Sequence, residues 1–156
     1  MAQFRCIPVP SAVPEQFRTG VDGYGNAVRA MPARDAGAPC RHCLRYAAEG
    51  EAMLLGSYAL PRPQGIYWTP SPIFVHADPC PAYDAVGEVA EVARLNTLVS
   101  VRAYDAGDQC LYDLGVVCDG TDVDEPLARA LGDARTAFVN IHTARPGCWL
   151  CRVERV

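Results

Sequence analysis

Apolar and polar residues alternate along several short segments of the chain, a pattern typical of strands that bury one face. The clearest alternation runs over 97–104, where small apolar residues form one face and Ser100, Arg102 and Tyr104 lie on the other. The segment 109–118 follows an Asp-Ala-Gly-Asp turn and is predicted to return as the hairpin partner of this strand. Further strands are predicted at 4–9, 27–31, 52–59, 73–76, 137–142 and 148–156.

Helical spacing of apolar residues recurs over 85–95, where it predicts a helix. A second helix is predicted to begin near Asp122 and to end at Gly132, and a short helix is expected after Pro14. Hairpins dominate, and strands do not alternate regularly with helices. The pattern therefore predicts an α+β fold with a mainly antiparallel sheet. We expect a single domain over 1–156, with two or three helices packed on the sheet.

The composition fits one small domain and argues against binding to nucleic acid. The chain has 156 residues, half of them hydrophobic, which suffices for a core without disulfides or metals. Its net charge is -4, and residues 51–120 carry nine acids against three arginines, so this part repels phosphate backbones. Lysine is absent from the sequence, which excludes a Schiff-base lysine and a P-loop lysine.

Hydropathy indicates where the protein is found. No apolar run approaches the ~20 residues of a membrane-spanning helix, and the first residues lack an apolar run of signal-peptide length. The sequence therefore predicts a cytoplasmic protein without a membrane partner. Because thiols are normally reduced there, the eight cysteines are expected to be buried thiols, metal ligands or redox groups, and not disulfides.

Four Cys and His residues have a spacing that suits a zinc ion. Cys40 and Cys43 form a Cys-x-x-Cys pair on a predicted turn, where two sulfur atoms can bind one metal. His76 and Cys80 lie at the end of a predicted strand and could complete a Cys3His tetrahedron. In the typical zinc knuckle a glycine follows the second cysteine, and here Leu44 takes that place. The alternative is that these cysteines are small apolar core residues.

A second Cys-x-x-Cys pair, Cys148 and Cys151, lies on the predicted closing strand. In a regular strand these two positions point to opposite faces, so they cannot chelate one ion together. Redox motifs of this spacing begin a helix, which this segment does not. We expect core packing, with Trp149 and Cys151 on the same face.

Polar residues on two predicted strands could line a ligand pocket. Arg102 and Tyr104 share a face of one strand, Asp105 follows it directly, and His142 lies on another strand. If the strands are neighbours, His142 could act as a base and Arg102 could bind a carboxylate or phosphate. These four residues are the predicted catalytic residues, and a small-molecule or anionic ligand is the predicted partner. The alternative is that His142 is a structural residue.

Four motifs occur in an order that resembles a known family. They are Pro39-Cys40-Arg41-His42-Cys43-Leu44, Pro72-Ile73-Phe74-Val75-His76, Arg102-Ala103-Tyr104-Asp105 and Pro146-Gly147-Cys148. With the chain length, they resemble the uncharacterised bacterial domain-of-unknown-function family number 1203, over nearly the whole chain. Where such family members have glycine before the second motif, this chain has Ser71. The resemblance implies a small single-domain bacterial protein and brings no activity, substrate, cofactor or catalytic residue with it.

Three functions remain open from the sequence. The first is a binding or enzymatic domain with the polar pocket, and the second is a zinc-stabilised module without catalysis. The third is a structural or protein-interaction domain with packed, inert cysteines. A monomer and a homodimer both fit the sequence.

Overall fold

The computed structural model describes residues 3–34 and 37–156, which contain eight strands, three helices and three 3₁₀ turns. The strands are β1 (Phe4–Ile7), β2 (Arg29–Pro32), β3 (Ala52–Ala59), β4 (Pro70–His76), β5 (Val99–Tyr104), β6 (Val116–Cys118), β7 (Phe138–Thr143) and β8 (Trp149–Arg155). The helices are α1 (Ala12–Arg18), α2 (Glu91–Arg94) and α3 (Asp124–Gly132). The strands form two antiparallel sheets, which confirms the predicted α+β fold. None of the helices in these ranges has the length and apolar character needed to cross a bilayer.

A five-stranded sheet in the order β1-β8-β7-β5-β6 supports the larger core. Val99, Val101 and Ala103 of β5 are fully buried on its apolar face, as the alternation along this strand predicts. Helix α3 contributes to the same core with the apolar stripe of an amphipathic helix. The stripe consists of Leu127, Ala130 and Leu131.

A three-stranded sheet in the order β2-β3-β4 supports a smaller core. Phe17 of α1, Met53 of β3 and Ile73 of β4 are buried in it. Phe17 lies so close to Gly56 of β3 that a Cβ atom there would come within 2.7 Å of its ring, so this packing requires glycine. The segment 38–47 meets the end of β4, and this contact positions the predicted metal ligands.

Trp149 of β8 joins the two sheets through polar contacts. Its backbone N–H donates to the Ser71 hydroxyl of β4 at 2.9 Å, and its carbonyl accepts from Arg41 Nε at 2.7 Å. The indole N–H donates to Asn140 Oδ1 at 3.2 Å, and the Tyr58 ring of β3 lies 5.7 Å from the Trp149 ring. Buried polar groups between the sheets are thus paired with one another, as a stable interior requires.

The predicted helix over 85–95 is wrong for most of its length. Only Glu91–Arg94 is helical, and the residues before it run beside β1, where Val86 forms a bridge with Arg5. Gly87 has a φ of 78°, and its N–H donates to a carbonyl of β1 at 2.7 Å. Backbone pairing with β1 therefore outweighs the helical spacing of the apolar residues.

A β-bulge in β8 corrects the predicted orientation of Trp149 and Cys151. Ile141 pairs with Cys151 and His142 pairs with Trp149, so Leu150 is the extra residue. As a result, Trp149 packs in the smaller core and Cys151 in the larger one, instead of on the same face.

Candidate metal centre

The four predicted metal ligands lie together where the segment 38–47 meets the end of β4. The Sγ atoms of Cys40, Cys43 and Cys80 and one ring nitrogen of His76 all lie within 4.8 Å of one another. Cys40 Sγ is 3.9 Å from Cys80 Sγ, and Cys43 Sγ is 3.6 Å from His76 Nδ1. Cys40 and Cys43 are buried, whereas His76 and Cys80 are half-buried. The residues that the sequence predicts as one ligand set thus converge in the fold.

A short turn presents Cys40 and Cys43. The Cys40 N–H donates to the Arg45 carbonyl at 2.9 Å, and the flanking residues continue this antiparallel pairing. The Arg41 N–H donates to the Phe74 carbonyl of β4 at 2.9 Å. Because β4 also carries the histidine of the cluster, these backbone bonds hold the turn at a fixed position relative to that side chain.

Leu44 adopts the left-handed conformation, with a φ of 54°, that glycine usually supplies after the second cysteine of a zinc knuckle. This conformation costs a residue with a Cβ atom about 1–2 kcal/mol. The Leu44 side chain is fully buried in the larger core. Burying a leucine contributes about 1.5–3 kcal/mol. The burial of Leu44 therefore offsets the backbone strain, so leucine can adopt the left-handed conformation for which glycine is usual at this position.

Glu51 is a residue of the centre that the sequence analysis missed. Its Oε2 lies 2.8 Å from His76 Nε2, while His76 Nδ1 faces the sulfur atom of Cys43. At metal sites, a carboxylate that accepts from the outer N–H of a histidine orients the ring and fixes its tautomer. The pairing of β3 with β4 is what brings Glu51 to the cluster. In this register Met53 lies opposite His76, and Glu51 directly precedes β3.

His42 is a second residue that the sequence analysis did not assign to the centre. It is buried, and its Nδ1 lies 3.3 Å from Cys80 Sγ. Its Nε2 lies 3.0 Å from the hydroxyl oxygen of Ser11, which stands at the amino end of α1 and makes no side-chain cap to that helix. Through His42, these contacts connect the amino end of α1 to the sulfur atom of Cys80.

The three thiols of the cluster change one another's ionisation. Donation from the Cys43 thiol, together with backbone N–H groups, lowers the pKa of Cys40, and the same contact raises the pKa of Cys43. Burial and the negative charge of Cys40 raise the pKa of Cys80 to about 11. Since thiolates at this spacing repel one another, a full set of anionic sulfur atoms requires a cation among them.

A cleft of about 700 Å³ opens beside the cluster, and Cys43, His76 and Cys80 line part of it. The cluster can therefore be reached from solvent on the side of these three residues, whereas Cys40 is fully buried. The cleft also carries four carboxyl groups against one arginine, a balance that attracts cations. These charged residues are Glu51, Asp78, Asp84, Glu88 and Arg45.

The sequence matches one known protein family. Residues 37–155, well over half of the sequence, match the family described as "Protein of unknown function (DUF1203)". The chain belongs to the DUF1203 family. The matched part contains the four clustered residues, Glu51 and His42, whereas Ser11 precedes it. No curated protein and no solved structure matches the chain.

In this DUF1203 protein the predicted catalytic residues do not all line one pocket. β5 and β7 are neighbours, and the register places Arg102 opposite Asn140, so Arg102, Tyr104 and His142 share a sheet face. Arg102 and Tyr104 line a cleft of about 360 Å³. His142 and Asp105 are not among the residues that line it.

His142 and Asp105 instead bind backbone groups. His142 is buried, and its Nδ1–H donates to the Gly147 carbonyl at 2.9 Å. Burial and the nearby positive charge of Arg102 lower the pKa of His142 to about 4, so the imidazole is neutral at pH 7. Asp105 accepts from two backbone N–H groups of the turn after β5. A catalytic role for these residues stays a prediction.

Proposed function

We propose that this DUF1203 protein binds one zinc ion through Cys40, Cys43, His76 and Cys80, and that the ion stabilises the fold. The observation that carries the proposal is the convergence of three sulfur atoms and one imidazole nitrogen within 4.8 Å. Thiolate and imidazole together are the ligands typical of structural zinc. The ligands come from the two segments 40–43 and 76–80, so the ion would connect them.

Two of the distances within the cluster match those expected for tetrahedral zinc. Bond lengths of ~2.3 Å to sulfur and ~2.0 Å to nitrogen imply separations of ~3.8 Å between two sulfur ligands and ~3.5 Å between sulfur and nitrogen. The Cys40 and Cys80 sulfur atoms are 3.9 Å apart, and Cys43 Sγ is 3.6 Å from His76 Nδ1. All eight cysteines are free, so the three sulfur atoms are available as ligands.

A structural role fits this ligand set better than a catalytic one. Four protein ligands complete a tetrahedral coordination sphere, whereas catalytic zinc keeps one position open for water or substrate. Cys40 and Cys43 belong to the smaller core, and Cys80 packs against it. The ion would therefore hold the turn against β4 at the edge of this core. Such a site needs reduced thiols, which agrees with the predicted cytoplasmic location.

Two neighbouring residues support the proposal as outer partners of the ligands. With Glu51 accepting from Nε2–H of His76, the lone pair of Nδ1 is free for zinc. With Ser11 donating its hydroxyl proton to Nε2 of His42, the Nδ1–H of His42 can donate to the Cys80 thiolate. Hydrogen bonds of this kind orient metal ligands and delocalise their charge.

Metal analysis of the protein purified without chelator tests the proposal. We expect one zinc ion per chain by inductively coupled plasma mass spectrometry. Cys80→Ser should contain much less zinc, because a hydroxyl is a much weaker zinc ligand than a thiolate. Cys118→Ser is the matched control, since it removes another half-buried thiol that lies outside the cluster. It should retain the full zinc content.

Thermal unfolding supplies the second readout of the same experiment. Losing an ion that is present at ~1,000 times its Kd removes about 4 kcal/mol of stability, so a chelator should lower Tm by about 10 °C. A metal-free wild-type protein whose Tm responds neither to zinc nor to chelator would contradict the proposal. That result would favour a structural or protein-interaction domain with packed, inert cysteines.

A further inference from the structure

A separate cleft of about 360 Å³ lies at the edge of the five-stranded sheet, beside β5 and β6. None of the four clustered metal-ligand candidates lines it. Its volume is in the range of small-molecule sites, which combine apolar walls with a few placed polar groups. The walls carry Tyr67, Tyr104, Tyr112 and Val117, and the charged group is Arg102.

Arg102 is a half-buried cation that lacks an anionic partner. Its Nε donates to the Ser100 hydroxyl at 3.1 Å, and it forms no ion pair with a carboxylate of residues 3–34 or 37–156. The other buried or half-buried arginines each have a carboxylate or carbonyl acceptor; they are Arg41, Arg62, Arg94 and Arg152. A partly desolvated guanidinium without a carboxylate partner is suited to bidentate binding of a carboxylate.

The carboxyl groups of the segment that follows β5 are bound elsewhere. Asp105 accepts from two N–H groups of its own turn, and Asp108 pairs with Arg62. Asp113 pairs with Arg135 at 2.7 Å. These acids therefore leave the charge of Arg102 uncompensated, so the cleft complements a ligand with one negative charge.

Two tyrosine hydroxyls provide a further donor and an aromatic wall. The hydroxyl oxygens of Tyr67 and Tyr112 are 2.7 Å apart. One proton is used between them, so the second hydroxyl proton can be donated to a ligand. The Tyr67 ring lies edge-to-face with Tyr112 at 6.0 Å and with Tyr104 at 6.3 Å. Tyr112 is 75% exposed and Val117 is 60% exposed, which leaves apolar surface at the mouth of the cleft.

We propose that this cleft binds a small aromatic monocarboxylate. The carboxylate binds the Arg102 guanidinium and a hydroxyl of the Tyr67–Tyr112 pair, and the ring packs against the tyrosine rings and Val117. Aromatic rings prefer such edge and offset contacts with tyrosine. The proposed site does not depend on zinc binding. It gives Arg102 a role in ligand binding and requires no general base.

A titration of the ¹⁵N-labelled protein, as purified, tests this inference by NMR. The probes are benzoate, phenylacetate and 4-hydroxyphenylacetate. We expect at least one to give saturable amide shifts confined to residues 67, 100–104 and 110–117. Acetate, which lacks the ring, 2-phenylethanol, which lacks the charge, and inorganic phosphate should each bind at least ~10-fold more weakly.

Variants identify the groups responsible. Arg102→Gln should weaken binding at least ~10-fold, because charge-assisted hydrogen bonds are lost. Arg145→Gln, at an exposed arginine, is the matched control and should leave binding unchanged. Tyr67→Phe keeps the ring and should weaken binding several-fold. Dispersed amide spectra show that each variant is folded.

Three results would each overturn the inference. The first is the absence of saturable shifts with all three aromatic acids. The second is equal affinity in the wild type, Arg102→Gln and Tyr67→Phe. The third is binding of acetate or phosphate as tight as that of the aromatic acids, since the apolar wall would then contribute nothing.

Discussion

Hydrogen bonds from neighbouring residues orient side chains of the four-residue cluster. Glu51 holds the outer nitrogen of His76, and His42 approaches the sulfur atom of Cys80 from the side of Ser11. Each contact is a single hydrogen bond, yet each restricts the rotamer or tautomer of a proposed ligand. The affinity of the proposed zinc site would therefore depend on these residues as well as on the ligands themselves.

Replacing Glu51 with glutamine tests this dependence. Without the carboxylate, the His76 ring loses its negative partner and its preference for one tautomer. We expect Glu51→Gln to weaken zinc binding about 10- to 100-fold. Competition with a chromophoric zinc chelator measures the change. Glu49→Gln, at an exposed carboxyl nearby, is the matched control and should bind zinc as the wild type does; equal affinity of both variants would show that Glu51 has no such role.

At the residue scale, the sequence predicts the clustered side chains but not their partners. Cys-x-x-Cys and His-x-x-x-Cys spacings are local patterns, so Cys40, Cys43, His76 and Cys80 can be read along the chain. Glu51 reaches the cluster only through the pairing of β3 with β4. Such pairing depends on contacts between distant segments, which local spacing does not encode.

At the scale of elements, Asp22 joins the turn between α1 and β2 to strand β3. Its carboxylate accepts from the N–H groups of Tyr24 at 2.8 Å, Asn26 at 3.0 Å and Ser57 at 3.0 Å. Burial by itself would raise the pKa of Asp22. The hydrogen bonds from Ser57, Asn26 and Tyr24 outweigh it and lower the pKa to about 2.

This carboxylate should make stability depend on pH. Because the fold lowers the pKa of Asp22, its contribution is present above the ordinary pKa near 4 and is lost as the pH falls toward 2. At pH 7 we expect Asp22→Asn to be less stable than the wild type by about 1–2 kcal/mol, and the difference should shrink below pH 4.

Urea unfolding of both proteins between pH 7 and pH 3 measures this difference. Acid would release the proposed zinc ion from both proteins alike, so only the difference in stability between the two proteins is interpreted. Glu49→Gln, at an exposed carboxyl that does not line the cleft beside the cluster, is the control and should match the wild type throughout. If Asp22→Asn were less stable than the wild type by the same free energy of unfolding at every pH, the role assigned to the Asp22 carboxylate would be contradicted.

The strands were more predictable than the connections between them. The predicted strand over 52–59 has the same bounds as β3, because apolar residues bounded by proline and glycine form a local signal. The helix expected over 85–95 is formed only at Glu91–Arg94, since Val86 and Gly87 pair with β1. The bulge at Leu150 places Trp149 and Cys151 in different cores, an outcome that the alternation does not predict because it assumes a regular strand.

At the scale of the whole molecule, two sheets meet through β4, β8 and the segment 38–47. Trp149 bonds both Ser71 of β4 and Arg41 of the turn, so the candidate centre is linked to both sheets. The sequence predicts antiparallel strands but does not divide them into two sheets, because alternation defines the faces of a strand and not its neighbours. Zinc at this junction would hold together segments that are far apart in the chain.

X-ray absorption at the zinc edge of the protein as purified tests whether Cys40, Cys43, His76 and Cys80 bind zinc. It counts the ligand atoms and measures their distances without substituting any residue. If the four residues bind zinc, the spectrum should show one zinc ion per chain, surrounded by three sulfur atoms at ~2.3 Å and one nitrogen atom at ~2.0 Å. A zinc shell of oxygen and nitrogen atoms alone, or protein that takes up no zinc at the cluster, would contradict zinc binding by these residues.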